Sequence, residues 1–196
     1  MELSERESPS RTPEEGARAW ALVAALPHRT KLLIGVASVA LAAGCFVRFG
    51  FSGRAVVGAA YASVLVLLAA IDFHRRLIPN VIVVPAIFLV LAAQIVLDPD
   101  RTLEWVLAAL GAGLFFYIPA VVFPAGLGMG DVKLAALIGA ALGKSVVGAL
   151  FVTLLAGALY GILVLTREGW RARTKAIPYG PFLVLGGLLA LFIGDG

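Results

Sequence analysis

Two aspartates lie among long apolar runs in this chain of 196 residues, and both have neighbours suited to catalysis. Asp131 ends the glycine-rich motif GMGD at residues 128–131, and Asp72 ends another apolar run 131 − 72 = 59 residues earlier. A carboxylate costs roughly 2.5–3.5 kcal/mol at mid-membrane on insertion scales, so acids there usually face a cavity and have a function. Two such acids, one of which directly follows a glycine-rich stretch, suggest an enzyme that hydrolyses peptide bonds within a membrane.

Paired carboxyl groups can hydrolyse a peptide without a metal, a cofactor or a covalent intermediate. Like charges close together cannot both ionise, so such a pair shares one proton. One carboxylate then acts as a general base on water while the other donates a proton to the scissile carbonyl oxygen. We therefore expect no cofactor and no metal. The chain has a single cysteine, Cys45, no HExxH motif and no GxSxG motif, which argues against zinc and serine hydrolases.

Each aspartate also has a simpler structural interpretation. Asp131 could cap the helix that follows it, since its position suits an N-cap. Asp72 could be an interfacial acid paired with Arg75 or Arg76. For each residue alone the spacing favours the simpler interpretation, and only the occurrence of both acids together favours catalysis.

Other residues near the two acids could shape a site. Gly128 and Gly130 leave room for the backbone of an extended peptide, which a protease must bind. Lys133 could tune the acids or hold the substrate, or it could extend to the membrane interface as lysines commonly do. The remaining candidates for substrate binding or site shaping are Pro79, Asn80, Pro178, Gly180 and Pro181.

Composition predicts the elements that must position these residues. The chain is 61% hydrophobic and only 14% charged, whereas a soluble domain carries about 25% charged residues. Its mean hydropathy is +0.98. We therefore predict an all-α integral membrane protein, a polytopic bundle of about six to seven transmembrane helices. The apolar segments are residues 31–49, 55–71, 81–97, 103–123, 132–142, 145–166 and 179–193.

Positive charge predicts the orientation of these segments. With a cytoplasmic N-terminus and seven crossings, 12 of the 16 lysines and arginines lie inside and 4 outside. If the short segment 132–142 re-entered instead, the division would be 8 and 8, so we favour the crossing. Asp72 and Asp131 then both lie at cytoplasmic ends of spans. The acids predicted on the other side, as solvated loop residues, are Asp98, Asp100, Glu104 and Asp195.

Three blocks of sequence resemble the type IV prepilin peptidases, which are bacterial GxGD aspartyl proteases. They are Asp72 with the following RLIPN, GLGMGDVKL at residues 126–134 and IPYGPFL at residues 177–183. The resemblance covers roughly residues 55–194. It implies that Asp72 and Asp131 are catalytic, and that the substrates are pilin or pseudopilin precursors with a basic leader ahead of an apolar helix. It also implies cleavage at the cytoplasmic face of the bacterial inner membrane, in type IV pilus assembly or protein secretion.

The resemblance also suggests how the chain is divided. Larger family members carry an N-terminal methyltransferase region with paired CxxC zinc motifs. In residues 1–54 of this chain, by contrast, Cys45 is the only cysteine. We expect a small form without methyltransferase activity. Residues 1–28 would be a polar cytoplasmic tail, residues 29–54 an extra transmembrane anchor with its loop, and residues 55–196 the peptidase domain. No partner beyond precursors and lipid is indicated, and nucleic acid is not expected.

Three alternatives remain open at this point. Membrane acids and broken helices also occur in small proton-coupled transporters, although no internal repeat is evident here. A GxGD protease that cuts other membrane segments, similar to the signal-peptide peptidases, is a second alternative. The third is a non-catalytic assembly partner, which would tolerate the loss of either acid.

Overall fold

The computed structural model describes Ala17 and residues 20–122, 127–168 and 179–194. Within these ranges the chain forms seven α-helices of 14 to 23 residues, a short helical stretch at residues 20–24 and no strand. The prediction of an all-α polytopic membrane protein is confirmed. The helices are α1 (His28–Phe49), α2 (Gly53–Arg75), α3 (Asn80–Leu97), α4 (Thr102–Val122), α5 (Met129–Leu142), α6 (Val146–Glu168) and α7 (Gly180–Ile193).

In the part of the chain that the structure describes, five helical stretches are long and apolar enough to cross a membrane. They are His28–Phe49, Gly53–Arg75, Asn80–Leu97, Pro99–Val122 and Met129–Arg167. The last stretch contains both α5 and α6, which a 3-10 turn at Gly143–Ser145 separates, while α7 has only 14 residues. Large apolar side chains such as Val39, Leu89 and Phe151 are mostly exposed on the bundle. Such a surface suits lipid rather than water.

Local capping groups fix where α2 begins and ends. The Ser52 hydroxyl oxygen accepts a hydrogen bond from the Ala55 backbone N–H at 3.3 Å, which satisfies one of the free donors of the first turn. At the other end, Arg76 adopts a left-handed conformation with φ 51°. Its N–H donates to the Asp72 carbonyl oxygen at 2.7 Å. The chain therefore turns sharply just after Asp72, and α3 begins only a few residues later.

The central helix of the bundle is α5. Nine of its 14 residues are buried, and it runs antiparallel to α4. Gly139 lies against the backbone of Ala108, and a Cβ on Gly113 would lie 3.4 Å from the Ala136 side chain. These small residues let the two helices pack at close range. At 1.5 Å per residue α5 is about 21 Å long.

The segment predicted at residues 132–142 therefore runs from one end of the bundle to the other. It begins earlier than predicted, at Met129, because Gly128 rather than Asp131 is its N-cap. We call the end where α2 stops and α5 starts the aspartate end, and the other the opposite end. Helix α1 lies at the periphery, where Cys45 is its one buried residue and Gly44 contacts Phe192 of α7.

Candidate functional site

Asp72 lies in the last turn of α2 and is only 7% exposed. The start of α7 lies directly against its carboxyl group. A Cβ built on Gly180 would collide with the Asp72 carboxylate oxygen Oδ2 and would lie 2.9 Å from its Cγ. Gly180 is itself buried. The absence of a side chain at this one position therefore lets the α7 backbone form a wall beside the carboxyl.

The predicted pairing of Asp72 with Arg75 or Arg76 is not formed as an ion pair. No ion pair within the described ranges includes Asp72, although Arg76 lies close enough to interact with it electrostatically. The left-handed turn at Arg76 explains the difference, because it leads the chain away from the helix at that point. Both arginines are exposed. The buried acid is thus not neutralised by a direct partner from this part of the chain.

Asp131 occupies the third position of α5. Its Oδ2 accepts a hydrogen bond from the Gly128 N–H at 3.1 Å, and its own N–H donates to the Gly128 carbonyl oxygen at 3.0 Å. The capping interpretation is therefore partly right: Asp131 supports the helix start, but it does so from the third helical position, by accepting from the N–H of the N-cap residue Gly128, rather than as the N-cap itself. This bond fixes the carboxyl in place and engages one of its two oxygens.

The segments that carry the two acids contact each other. A Cβ on Gly130 would lie 2.9 Å from Cβ of Ile78, in the loop that follows Asp72. A side chain at residue 130 would therefore push this loop away from the start of α5. Two residues 131 − 72 = 59 positions apart are thus brought to the same end of the bundle.

A hydrogen bond beside the acids joins α5 to α3. The Lys133 ammonium donates to the Asn80 side-chain oxygen at 2.6 Å, and buried Pro79 precedes Asn80 at the start of α3. Lys133 is therefore engaged within the protein rather than extended freely into the interface. Pro181 lies in the first turn of α7 and is half-buried. Pro178 lies outside the described residues.

We expect Lys133→Met and Asn80→Ala each to lower kcat/KM for peptide cleavage by about 10- to 100-fold. A hydrogen bond to a charged group contributes about 1.5–3 kcal/mol, and about 1.4 kcal/mol corresponds to a factor of ten. If the bond positions the start of α5, the double variant should lose no more than either single variant. The measurement is a double-mutant cycle on purified, reconstituted protein.

Two further variants make this test specific. Lys133→Arg keeps a cationic donor and should restore part of the rate, whereas Lys144→Met removes a lysine at the opposite end and should change it little. Fully additive losses from Lys133→Met and Asn80→Ala would contradict a shared positioning role.

The acids at the opposite end have a structural role instead. Asp98 pairs with Arg54 at 3.2 Å, and Glu104 pairs with Arg101 at 2.7 Å. Our expectation of solvated loop acids was therefore wrong for Asp98 and Glu104, because basic residues from the neighbouring turn and helix reach them. The three-residue spacing between Arg101 and Glu104 on one helical turn was a signal available in the sequence. Asp195 lies outside the described residues.

The described residues do not form a cluster of metal-ligating side chains. Among the described residues, no group of three or more His, Cys, Asp or Glu side chains could hold a metal ion. The candidate site is thus made of two carboxyl groups, the glycines that let backbone approach them and one lysine–asparagine bond. It defines a class of protein: a helical membrane protein with two carboxyl groups at the same end of the bundle.

Comparison with known families agrees with this class and makes it specific. The model of the type IV leader peptidase family matches residues 59–164. This range is more than half of the chain and contains both Asp72 and Asp131. The chain belongs to the type IV leader peptidase family. The resemblance inferred from the three sequence blocks is confirmed.

Several curated relatives are named prepilin leader peptidase/N-methyltransferase. The one from Bacillus subtilis (strain 168) is 34% identical over 173 residues, which are 86% of this chain and 69% of the relative. The one from Burkholderia pseudomallei (strain 1026b) is 33% identical over 168 residues, 83% of this chain and 54% of the relative. The one from Pseudomonas aeruginosa is 30% identical over 170 residues, 83% of this chain and 58% of the relative.

This chain therefore spans little more than half the length of the Burkholderia and Pseudomonas relatives. No solved structure matches it.

Proposed function

We propose that this protein is a membrane-embedded aspartyl endopeptidase that removes the basic leader from type IV pilin-like precursors. The single observation that carries the proposal is that Asp72, at the end of α2, and Asp131, at the start of α5, lie at the same end of an apolar bundle, where Gly130 packs against Ile78 of the loop after Asp72. Family membership supports the peptidase activity and the class of substrate.

The two carboxyls would act on one water molecule. One carboxylate removes a proton from the water while the water oxygen attacks the scissile carbonyl carbon, and the protonated carboxyl gives its proton to the carbonyl oxygen. The tetrahedral intermediate then breaks its C–N bond as the nitrogen takes up a proton. The products are a new carboxylate on the leader and a new amine on the pilin. No bond to the protein forms at any step.

The environment of the carboxyls suits this chemistry. Asp72 is nearly excluded from the surface, so its interactions with a second charge are stronger than in water. The Gly128 N–H holds Asp131 in one position, and such pre-organisation avoids reorientation during the reaction. The backbones at Gly130 and Gly180 approach closely without side chains. An extended substrate could therefore lie beside the two acids.

Charge supports the assignment of the membrane face. The predicted division of 12 basic residues inside and 4 outside puts the aspartate end at the cytoplasmic face of the inner membrane and the N-terminus inside. A pilin-like precursor has a compatible layout, since its basic leader stays in the cytoplasm while its apolar stem lies in the bilayer. The scissile bond between these two parts would then be level with Asp72 and Asp131.

We propose peptidase activity without N-methylation for this chain. The relatives named above carry both activities in their names. The only cysteine here is Cys45, which is buried in α1, so the chain cannot form paired CxxC zinc sites from its own residues. Mass spectrometry of a cleaved pilin should therefore find an unmodified N-terminal amine.

Cleavage by the purified protein tests the proposed function. The protein is reconstituted into lipid nanodiscs and mixed with a precursor that has a basic leader and an apolar stem. We expect one cut between these two parts, identified by N-terminal sequencing of the product. A precursor with an inverted leader charge should be cut more slowly. A folded protein that leaves every precursor intact would refute the proposal and favour a transporter or an assembly partner.

A further inference from the structure

The start of α7 lies between α6 and the aspartate end of α2. Tyr179 directly precedes α7, and its ring lies against Gly157 of α6, where an added Cβ would be 3.1 Å from Cε1 of Tyr179. Gly157 is buried by this contact. The next residue, Gly180, lies against the Asp72 carboxyl. Two consecutive residues at the start of α7 therefore contact two different helices, one of which carries an acid.

No side-chain cap fixes this helix start. The first turn of a helix has backbone N–H groups without a partner in the helix, and a capping side chain commonly binds one of them. Tyr179 is the N-cap of α7 and makes no such hydrogen bond. Pro181, in the first turn, has no N–H to donate. The placement of the first turn beside α2 therefore depends on how its side chains and carbonyl groups contact the neighbouring helices.

A buried hydroxyl group on α6 contacts the same turn of α7. Thr153 is 0% exposed, and its hydroxyl donates to the Ala149 carbonyl oxygen of its own helix at 2.8 Å and to the Phe182 carbonyl oxygen of α7 at 3.2 Å. The ring of Phe182 also packs against that of Tyr160 on α6, with 5.5 Å between the ring centroids. One face of α6 carries these contacts, because the residues recur every three or four positions: Ala149, Thr153, Gly157 and Tyr160.

We propose that Tyr179 and Thr153 are positioning residues for peptide cleavage, which hold the start of α7 on α6 and thereby keep Gly180 against the Asp72 carboxyl. The inference rests on the function proposed above. Because Tyr179 and Gly180 are consecutive, a shift of the Tyr179 backbone moves Gly180 with it. A misplacement of about 1 Å at a catalytic group can cost on the order of 10²-fold in rate. Helix α6, which carries neither acid, thus sets the position of an acid on α2.

Cleavage kinetics of Tyr179→Ala in nanodiscs test the ring contact. Loss of the ring should release the start of α7 and lower kcat by about tenfold or more. KM should change little, because the displaced group takes part in the chemical step. Tyr179→Phe keeps the ring and should keep most of the rate. Tyr117→Ala removes a tyrosine that is 45% exposed on α4 and is the matched control, with a rate close to that of the wild type.

Variants of α6 test the other side of the contact. Gly157→Leu puts a side chain where the Tyr179 ring lies and should also lower kcat. Gly148→Leu makes the same change on the same helix, where a Cβ meets open space, and should not. Thr153→Val removes only the hydroxyl group and should lower kcat by about three- to tenfold, the contribution typical of one hydrogen bond. Thr153→Ser keeps the hydroxyl and should restore most of this loss.

Coupling to Gly180 distinguishes positioning from a general loss of packing. In a Gly180→Ala background the new methyl group already displaces α7 from the Asp72 carboxyl. Tyr179→Ala should then cost little more, so the losses of the two single variants should not add in the double variant. Fully additive losses would mean that Tyr179 does not act through Gly180, and would overturn the inference.

Chemical labelling of Asp72 gives a readout that does not depend on cleavage. The side chain is only 7% exposed, so a water-soluble carbodiimide with an amine should label it slowly, as measured by mass spectrometry of a digest. Tyr179→Ala should be labelled faster, and Tyr117→Ala should not. Unchanged labelling and unchanged kcat in Tyr179→Ala and Thr153→Val would overturn the inference and leave the peptidase proposal standing. Faster labelling of Tyr179→Ala in a protein that cuts no precursor would refute the proposed function, but not the role of Tyr179 in placing α7 against Asp72.

Discussion

Asp72→Asn and Asp131→Asn are each expected to reduce precursor cleavage by at least about 10²–10⁴-fold, the contribution typical of general acid–base catalysis. An amide has nearly the shape of a carboxyl, but it can neither take a proton from water nor pass one to the carbonyl oxygen. Either substitution thus leaves the other acid without its partner. The measurement is the single-turnover rate on the reconstituted protein. Because the two acids act as one unit, the double variant should be no slower than either single variant.

Asp98→Asn is the matched control for this prediction. It makes the same chemical change at the opposite end, in an acid that pairs with Arg54 and Arg101, and it should leave the cleavage rate nearly unchanged. All variants should remain in the membrane and unfold cooperatively. Substantial cleavage by a folded Asp72→Asn or Asp131→Asn variant would contradict the dyad. Equal damage by Asp98→Asn would contradict the assignment of the active end.

Gly180→Ala should give the second largest loss of cleavage, about 100-fold or more. The added methyl group would collide with the Asp72 carboxyl. The carboxyl, the start of α7 or both must therefore move. A displacement of about 1 Å at a catalytic group can cost on the order of 10²-fold in rate. Gly180 is the first residue of α7. Because the group that its new methyl displaces is a carboxyl that takes part in the reaction, the loss should appear mainly in kcat.

Gly111→Ala is the control for this glycine, because a Cβ at residue 111 meets open space in the middle of α4. Its cleavage rate should match the wild type, and its Tm should not fall, since alanine favours a helix over glycine by about 1 kcal/mol. Normal cleavage by Gly180→Ala would mean that the start of α7 does not form a wall of the site.

The helices could be predicted from the sequence because lipid imposes a simple rule on it. A span of about 20 apolar residues satisfies its own backbone hydrogen bonds, so apolar runs such as residues 55–71 and 81–97 mark α2 and α3 closely. The start of α5 was missed by three residues. The glycines at 128 and 130 suggest a loop, but the Asp131 carboxyl bonds back to Gly128 and extends the helix to Met129.

Contacts between distant segments could not be predicted from the sequence. The closeness of Gly180 to Asp72 and the bond from Lys133 to Asn80 depend on how the helices pack, and small residues pack in many ways. Sequence reasoning named all four residues because they flank predicted helix ends, but it did not pair them. The ion pair between Asp98 and Arg54 is likewise formed across 98 − 54 = 44 residues.

That Asp72 and Asp131 act together in one site is tested most directly by cross-linking them. Since Cys45 is the only cysteine of the chain, a Cys45→Ala background allows the two acids alone to be replaced, as Asp72→Cys and Asp131→Cys. We expect a short bifunctional thiol reagent to join the two cysteines within one chain in membranes, as detected by mass spectrometry of a digest. A matched pair with Asp98→Cys in place of Asp72→Cys should stay unlinked. If both cysteines react with a monofunctional reagent but are never joined, the two acids do not share a site.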